Sequence, residues 1–545
     1  MTRDTINKLT ILLLSGIFFF PFLGGVHLFD WDEINFAEIA REMILTGDYL
    51  RPQINFEPFW EKPPLFIWMQ VASMKLFGIN EFAARFPNAV CGTVSLLLLY
   101  AVGRRFRNER LGMWWVLAYL GSILPHLYFR SGIIDPWFNL FIFLGLYAYL
   151  RYRGPGTGRG LWWIAASGVA IGLAVLTKGP VALLVFGLCG FIFGILTRFR
   201  AWMGIGAAGL FLLAFTATVG IWYGTEISMN STWFMNEFIT YQIRLFRTKD
   251  AGHGGFPGYH VVVLLFGCFP ASAFALRGLF TSHNAVREQP QKDFRLMMKI
   301  MFWTVLVLFS VVSTKIVHYS SLCYFPLTFL AAQELYRLTE EKRKIGMLPA
   351  VVLGITGFLF AAAALAFPVL LNHREAVVPL LKDPFAAAAL MAGISDPPYL
   401  FLAGAWILAV MGIGHFWVRR PDPRNGYLVL FAGNAVAVAL VLYLFIGRAE
   451  MFSQNAHIQF LKESARKGIP VQTLGFKSYA QYFYGRSAHT LPDGESILAE
   501  GCATDMHLVA KVNREAEFDA RGDLEKIGRK NGFVFYLKKA SHGTE

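Results

Sequence analysis

Ionisable residues stand at a few points of an otherwise apolar chain. The densest group is the segment 30–33, Asp-Trp-Asp-Glu, which directly follows the first apolar block. The segment 60–64, Trp-Glu-Lys-Pro-Pro, comes next, and isolated charges such as Asp135 and Lys178 stand beside later apolar blocks. A carboxylate can take a proton from an attacking group, and ammonium groups can stabilise a departing phosphate. This combination indicates a transfer reaction on a phosphate-bearing substrate.

The composition places these residues at a membrane. Of the 545 residues, 55% are hydrophobic and 16% are charged, whereas soluble domains carry roughly 25% charged residues. Apolar blocks of about 17–24 residues recur, which is the length that crosses a hydrocarbon core. We predict thirteen membrane-spanning helices, at about 8–29, 86–103, 111–129, 133–150, 161–177, 180–197, 202–223, 259–276, 299–314, 318–336, 347–370, 399–418 and 426–446. An ordinary cytosolic enzyme and a disordered or fibrous protein are excluded.

Basic residues predict how the chain is oriented. Arg and Lys gather in alternate short connections, which are all cytoplasmic if the N-terminus is cytoplasmic, as the positive-inside rule requires. The net charge of +14 therefore reflects topology, and we expect no nucleic-acid partner. The long loops at about 30–85 and 224–258 then lie outside. Five scattered cysteines are too few for a disulfide framework or a metal cluster.

The composition changes at about residue 448. The tail beyond it is polar and contains short β-like runs at 471–476 and 533–537. We predict a mostly α, polytopic membrane domain over 1–447 and a small soluble α/β domain over 448–545, outside the membrane.

The charged residues also have structural interpretations. Asp32 is a suitable N-cap for a helix whose apolar residues share one face and whose charged residues lie on the other. Lys62 is consistent with a snorkelling side chain, and the charges at other helix ends with topological anchors. The functional interpretation rests on the whole set, because ionisable groups in or near membrane spans are costly and usually functional. His253 in the second long loop lacks an H-x-x-x-H or H-E-x-x-H partner, so solvation and metal binding both stay open.

The ordered motifs resemble the aminoarabinose-transferase / protein mannosyltransferase-like family of GT-C glycosyltransferases. An acidic residue after the first span is followed by Glu-Lys-Pro-Pro at 61–64, Asp-Pro at 135–136 and Leu-Thr-Lys-Gly at 176–179. The resemblance covers most of the chain and is best over 28–105, 130–180 and 240–330. It implies a GT-C fold with about thirteen transmembrane helices and a soluble domain outside.

The resemblance also implies an activity and a site. A sugar would pass, with inversion, from a polyprenyl phosphate to an envelope acceptor such as lipid A, on the periplasmic face of the bacterial inner membrane. The predicted catalytic residues are Asp32 and Asp135. We assign to the donor phosphate Lys62, Lys178, Lys315, Tyr319 and Arg130, to the substrate Glu33, Asn35 and Phe59, and to a divalent metal Glu61 with His253.

Three positions depart from the aminoarabinose enzymes. Asn35 and Phe36 stand where those enzymes have Arg and Tyr, and Phe59 stands where they have Tyr. Because Asn cannot make the bidentate bonds of Arg, we expect a different donor sugar or other donor contacts. The first alternative is therefore the same reaction with another sugar and a protein or polysaccharide acceptor. A lipid-linked-sugar transporter is less favoured, because the charges lie at outer helix ends and no repeat is visible.

Overall fold

The computed structural model describes residues 1–152, 160–200, 203–247, 254–280, 288–392 and 397–540. Helices form most of the chain as far as Ser453. In chain order they are α1 Arg3–Phe19, α2 Asp32–Thr46, α3 Leu65–Phe77, α4 Glu81–Phe106, α5 Glu109–Leu120, α6 Ile123–Tyr128, α7 Asp135–Tyr152, α8 Gly160–Lys178, α9 Val181–Leu196, α10 Ile205–Asn230, α11 Trp233–Arg247, α12 Tyr259–Gly267, α13 Ala271–Phe280, α14 Gln289–Val311, α15 Tyr324–Thr339, α16 Met347–Asn372, α17 Arg374–Val377, α18 Pro384–Leu390, α19 Phe401–Val418 and α20 Arg424–Ser453.

The helices confirm a multi-pass membrane protein. Within the described ranges, seven are long and apolar enough to cross a membrane, namely α4, α8, α10, α14, α16, α19 with the turn before it, and α20. Every expected span overlaps one helix or two consecutive helices. The expected spans 111–129 and 259–276 are each divided, into α5 with α6 and into α12 with α13. Pro270 lies in the second break and cannot continue a helix; the count of thirteen spans stays a prediction.

The first long loop is a folded layer rather than an open connection. It contains α2, a hairpin of strands β1 Gln53–Ile54 and β2 Glu57–Pro58, and α3, which packs on both α2 and α4. The charged side of α2 does not face water, because residues 33–43 are all buried. Glu38 and Arg41 form a bidentate ion pair inside the protein. The two oxygens of the Glu42 carboxyl group accept the backbone N–H groups of Asn55 and Phe56, at 2.7 and 2.9 Å.

A C-terminal unit covers the outer side of α2. It contains α21 Asn455–Arg466, β3 Val471–Leu474, α22 Ala480–Gly485, α23 Gly494–Glu500, β4 Met506–Lys511, α24 Glu515–Asp519, β5 Glu525–Lys530 and β6 Phe533–Lys538. The sheet order is β3-β4-β6-β5, with β3 and β4 parallel and the other pairs antiparallel. Since α20 runs to Ser453, the expected boundary at 447/448 falls inside a helix. Ile39 of α2 and Ile458 of α21 belong to one buried apolar cluster, so burial against this unit fixes α2.

Glu42 should make stability depend on pH. Burial raises the pKa of its carboxyl to about 8, and the neighbouring Glu38 adds to the rise. A folded-state pKa above the ordinary value of 4.5 means that the folded protein holds a proton which the unfolded chain has released. The unfolding temperature in detergent should therefore fall as the pH rises from about 5 to about 8.

Two variants test this origin of the pH dependence. Glu42→Gln should flatten the profile, because the amide stays neutral throughout the window. Glu57→Gln, at an exposed position of the nearby hairpin, should keep the wild-type slope. A wild-type profile that is already flat over this range would contradict the buried, protonated Glu42.

Candidate active site

A cavity of about 1150 Å³ lies between the membrane helices and the C-terminal unit. Part of its wall is apolar and comes from α9 and α14, with Leu184, Val185 and Leu308 among the lining residues. The charged and polar lining residues are Asp30, Asp32, Glu33, Asn35, Glu61, Lys62, Asp135, Asn139, Lys178, Arg244, His318, Tyr319, Lys477 and Tyr479. The structure thus brings most of the sequence-predicted site residues to one place.

Two helix ends meet in the wall of this cavity. Asp135 begins α7 and Lys178 ends α8, and the Lys178 Nζ lies 2.6 Å from the Asp135 Oδ1. Each charge has the sign that its helix terminus favours. Gly179 turns the chain directly after α8 with a φ of +103°, and a Cβ there would lie 2.4 Å from the Phe238 ring. Both the backbone conformation and the close approach therefore require glycine, which sets the direction of Lys178.

Lys62 lies opposite this ion pair. Pro63 and Pro64 hold it at the entry to α3, and its Nζ lies 5.2 Å from the centre of the Tyr241 ring of α11. Burial lowers the pKa of Lys62, and the charge of Lys178 lowers it further, whereas Glu61 raises it. A bound anion would reverse this cost, because an opposite charge favours the ammonium form. Lys62 is accordingly suited to binding a phosphate.

Asp32 is partly exposed to the cavity and lies next to a histidine that the sequence analysis did not assign to the site. The side chain of Asp32 is 41% exposed, and its Oδ2 lies 3.9 Å from the His318 Nε2. Asp32 is the first residue of α2, and the N-cap is Trp31. The expectation that Asp32 caps the helix is therefore wrong by one residue. Its carboxylate makes no cap hydrogen bond and instead faces the cavity, beside His318.

Glu33 and Asn35 also line the cavity but differ in how their polar atoms are used. The two oxygens of Glu33 pair with the Arg85 guanidinium at 3.0 and 2.8 Å. They also accept the backbone N–H groups of Phe29 and Gly132, at 3.0 and 2.6 Å. The buried Asn35 Oδ1, by contrast, has no hydrogen-bond partner among the described residues. Asn35 thus keeps a buried acceptor that the described part of the fold does not use, whereas Glu33 is committed to the fold.

Three predicted site residues lie outside the cavity lining. The Lys315 Nζ donates to the carbonyl groups of Phe309, Ser310 and Val312 at the end of α14, at 3.1, 2.5 and 2.6 Å. The Arg130 guanidinium donates to the carbonyl groups of Phe18 and Pro21, at 3.1 and 2.7 Å. Phe59 packs against the apolar cluster around α2. These placements give all three residues structural contacts, and their assignment to the phosphate and the substrate stays a prediction.

Tyr319 does lie at the cavity, where its ring centre is 5.5 Å from the Lys178 Nζ. The expected metal pair is only partly described, because Glu61 lines the cavity and His253 lies outside the described residues. Among the described side chains, no group of three or more His, Cys, Asp or Glu is arranged to hold a metal ion. The pairing of Glu61 with His253 around a metal therefore stays a prediction.

Comparisons with known proteins agree with this architecture. The family model for dolichyl-phosphate-mannose-protein mannosyltransferase matches residues 61–222. An undecaprenyl phosphate-alpha-4-amino-4-deoxy-L-arabinose arabinosyl transferase of Pseudomonas aeruginosa is 28% identical over 405 residues, which are 73% of this chain and 70% of that protein. A protein of the same name from Pectobacterium carotovorum is 27% identical over 402 residues, 71% of this chain and 69% of that one.

The match to a solved structure covers nearly the whole chain. The crystal structure of ArnT from Cupriavidus metallidurans bound to undecaprenyl phosphate superposes with a TM-score of 0.78 at 20% identity, over 98% of both chains. The chain has the GT-C fold and resembles the aminoarabinose transferases in sequence. The oligosaccharyltransferase AglB from Archaeoglobus fulgidus matches with a TM-score of 0.50 at 9% identity, over 94% of this chain and 70% of that one. The expected family resemblance and fold class are confirmed.

Glu33 should be required for folding. Burial raises the pKa of its carboxyl, but the Arg85 guanidinium and two backbone N–H groups outweigh burial and hold the pKa below its ordinary value. Glu33→Gln leaves Arg85 buried without its counter-charge, which should cost on the order of 3 kcal/mol. We expect a lower yield of folded protein and a lower unfolding temperature in detergent.

The matched control is Glu61→Gln, a change of the same kind at a partly exposed residue of the same cavity. It should leave the unfolding temperature within a few degrees of the wild type. If Glu33→Gln folds normally and instead weakens substrate binding, Glu33 is a substrate contact, as the sequence predicted.

Proposed function

We propose that this chain is a polyprenyl-phosphate-sugar-dependent glycosyltransferase that transfers a sugar to a cell-envelope acceptor such as lipid A. One observation carries this proposal: Asp32, Asp135, Lys62, Lys178 and His318 line a single cavity whose remaining wall is largely apolar. Such a site suits a substrate with an anionic head and a hydrocarbon tail. The names of the arabinosyl transferases and the undecaprenyl phosphate bound to the matched ArnT structure support the same donor class.

The donor would lie along the α9 and α14 side of the cavity. Lys62, Lys178 and Tyr319 would contact the phosphate, and the apolar wall would accept the first isoprene units. The ammonium groups matter most as the bond to the sugar breaks, because a phosphate leaving group needs cations rather than a strong acid. Asp135 would hold Lys178 in position through the existing ion pair rather than touch the sugar.

Asp32 would act on the acceptor. An acceptor oxygen attacks the anomeric carbon, the bond from this carbon to the phosphate oxygen breaks, and polyprenyl phosphate leaves with the electron pair, which inverts the configuration. A hydroxyl acceptor gives its proton to the Asp32 carboxylate. An acceptor phosphate is already ionised, and Asp32 would then orient it. His318, at 3.9 Å, would position the carboxylate.

We place the protein in the bacterial inner membrane with its N-terminus in the cytoplasm. Arginine and lysine in alternate short connections support this orientation. The cavity is lined by residues of the C-terminal unit and by ends of membrane helices, so in this orientation the unit and the site would both lie on the periplasmic side. Donor and acceptor would both approach from that side.

The nature of the sugar is the finer part of the proposal. Asn35 lines the cavity, so its amide can contact the donor sugar directly, whereas Phe59 is outside the lining. Because Asn35 stands where the aminoarabinose enzymes have Arg, a different donor sugar remains the alternative. The deciding experiment supplies purified protein in lipid nanodiscs with lipid A and several undecaprenyl-phosphate sugars together, and identifies the product by mass spectrometry. Transfer of any of these sugars supports the reaction class, and its absence with all of these donors rejects lipid A as the acceptor.

Removing the charge of Asp32 should remove turnover. Asp32→Asn keeps the size of the side chain but cannot accept a proton, so kcat should fall by roughly 10²-fold or more. Donor affinity should change little. Asp48→Asn is the control, because Asp48 lies in the same loop, outside the cavity lining, and the amide oxygen can still accept the Leu50 N–H. Should Asp32→Asn retain half of the activity, another group activates the acceptor.

The sequence assigns both Lys62 and Lys315 to the donor phosphate, but substitutions of these two lysines should have different effects. Lys62→Met removes a cation from the cavity and should raise the KM for the lipid donor roughly tenfold, while the protein stays folded. Lys315→Met removes the contacts with the end of α14 and should lower the unfolding temperature with the donor KM unchanged. The measurements are initial rates at varied donor concentration and thermal unfolding in detergent. A raised donor KM in Lys315→Met, at wild-type stability, would return Lys315 to the donor site.

A further inference from the structure

The cavity has a second cationic region, which the C-terminal unit supplies. Lys477 follows β3 and lines the cavity together with Tyr479 and Trp31. Its Nζ lies 5.3 Å from the centre of the Trp31 ring and 5.1 Å from the centre of the Tyr479 ring. A lysine over two aromatic rings presents a positive charge beside flat apolar surfaces, which suits a ligand that carries both an anionic group and a sugar face.

The segment that carries Lys477 is attached to the chain just before Asp32. The Trp31 indole N–H donates to the Lys477 carbonyl group at 3.3 Å. The Asp30 carboxylate accepts the Ser478 hydroxyl and the Tyr479 backbone N–H. These bonds join the C-terminal unit to residues 30 and 31, so the place of Lys477 is set relative to the neighbouring Asp32.

This region is distinct from the one that we assign to the donor. Lys62 interacts electrostatically with Glu61, Asp32, Lys178 and Asp135, and its ring contact is with Tyr241. Lys477 interacts with Asp30 and Tyr479 and lies over the rings of Trp31 and Tyr479. The two lysines therefore contact different aromatic rings, although Glu61 acts on Tyr479 as well as on Lys62. A single departing phosphate needs only one of them. The second therefore calls for a second anionic group in the same cavity.

We propose that Lys477 binds a phosphate group on the head of the acceptor lipid, with the Trp31 ring against the adjoining sugar. This inference rests on the proposed function, because it takes the ligand to be the acceptor of that reaction. Charge-assisted hydrogen bonds to phosphate are among the stronger polar contacts. Lys477 would thus contribute to the choice of acceptor, whereas Lys62 and Lys178 act on the donor.

The test compares Lys477→Met with two other variants and uses two acceptors. The control is Lys511→Met: Lys511 belongs to the same unit, lies 4.7 Å from the Phe385 ring and is outside the cavity lining. Lys477→Arg keeps the charge. The acceptors are lipid A and lipid A from which the phosphate groups have been removed, each assayed in nanodiscs with the same polyprenyl-phosphate sugar.

Lys477→Met should raise the KM for phosphorylated lipid A roughly tenfold and leave the donor KM unchanged. In direct binding without donor, the wild type should show a similar weakening with the phosphate-free acceptor, and Lys477→Met should weaken that binding no further. Lys477→Arg should keep most of the affinity, and Lys511→Met should match the wild type. A change in donor KM instead, or an equal loss with both acceptors, would overturn the proposal.

A binding measurement without donor separates this inference from the proposed function. Wild type and Lys477→Met are mixed with phosphorylated lipid A in nanodiscs, and binding is measured directly. Weaker binding by Lys477→Met supports the phosphate contact even if no sugar is transferred. Equal binding overturns it even if the wild type is an active transferase.

Discussion

The Glu33 carboxylate is the interaction on which the arrangement of the site depends. It is paired with the buried Arg85 and accepts backbone N–H groups from Phe29 and Gly132. These contacts join the chain after α1, the start of α2, helix α4 and the segment that leads to Asp135. Asp32 is the chain neighbour of Glu33, so one buried ion pair sets the place of both candidate carboxylates. An unpaired charge at this position would be too costly to retain.

Balanced charge also limits the cost of placing ionisable groups in the wall of the cavity. Asp135 and Lys178 neutralise each other at 2.6 Å, which limits the cost of burying them. Lys62 is different, because burial lowers the pKa of its ammonium group. An anionic ligand would relieve that cost, and the protein would recover on binding what it loses in the free state. A phosphate is therefore favoured over a neutral head group at this point.

The sequence predicted which charged residues stand at helix ends better than it predicted where their side chains point. Asp135, Lys178, Lys62 and Tyr319 meet in one cavity. Each stands at an end of a helix or just beside one, and hydropathy can locate such ends in the sequence. Lys315 has the same position in the hydropathy pattern. Its side chain nevertheless turns back onto the last carbonyl groups of α14, and only the local path of the chain decides this.

Long-range packing accounts for what the sequence could not predict. The periodicity of α2 indicates one apolar face, but the C-terminal unit buries the other face too, and Glu38 and Arg41 pair inside the protein. Lys477 gave no motif, because its place in the site depends on contacts with residues 30 and 31 that are distant in sequence. The order of apolar and charged residues within one segment cannot show which distant segment of the chain will pack on it.

The two cationic regions bear on the stereochemistry of transfer. Inversion requires the acceptor oxygen to approach the anomeric carbon from the side opposite the departing phosphate. Two phosphate-bearing lipids in one cavity would repel each other unless separate cations hold them apart. Lys178 belongs to a membrane helix and Lys62 to the loop before α3, whereas Lys477 belongs to the C-terminal unit. Asp32, which we propose acts on the acceptor, directly follows Asp30 and Trp31, the residues that bind this unit. Docking of the C-terminal unit would thus set the acceptor's direction of approach, while the membrane helices fix the leaving group.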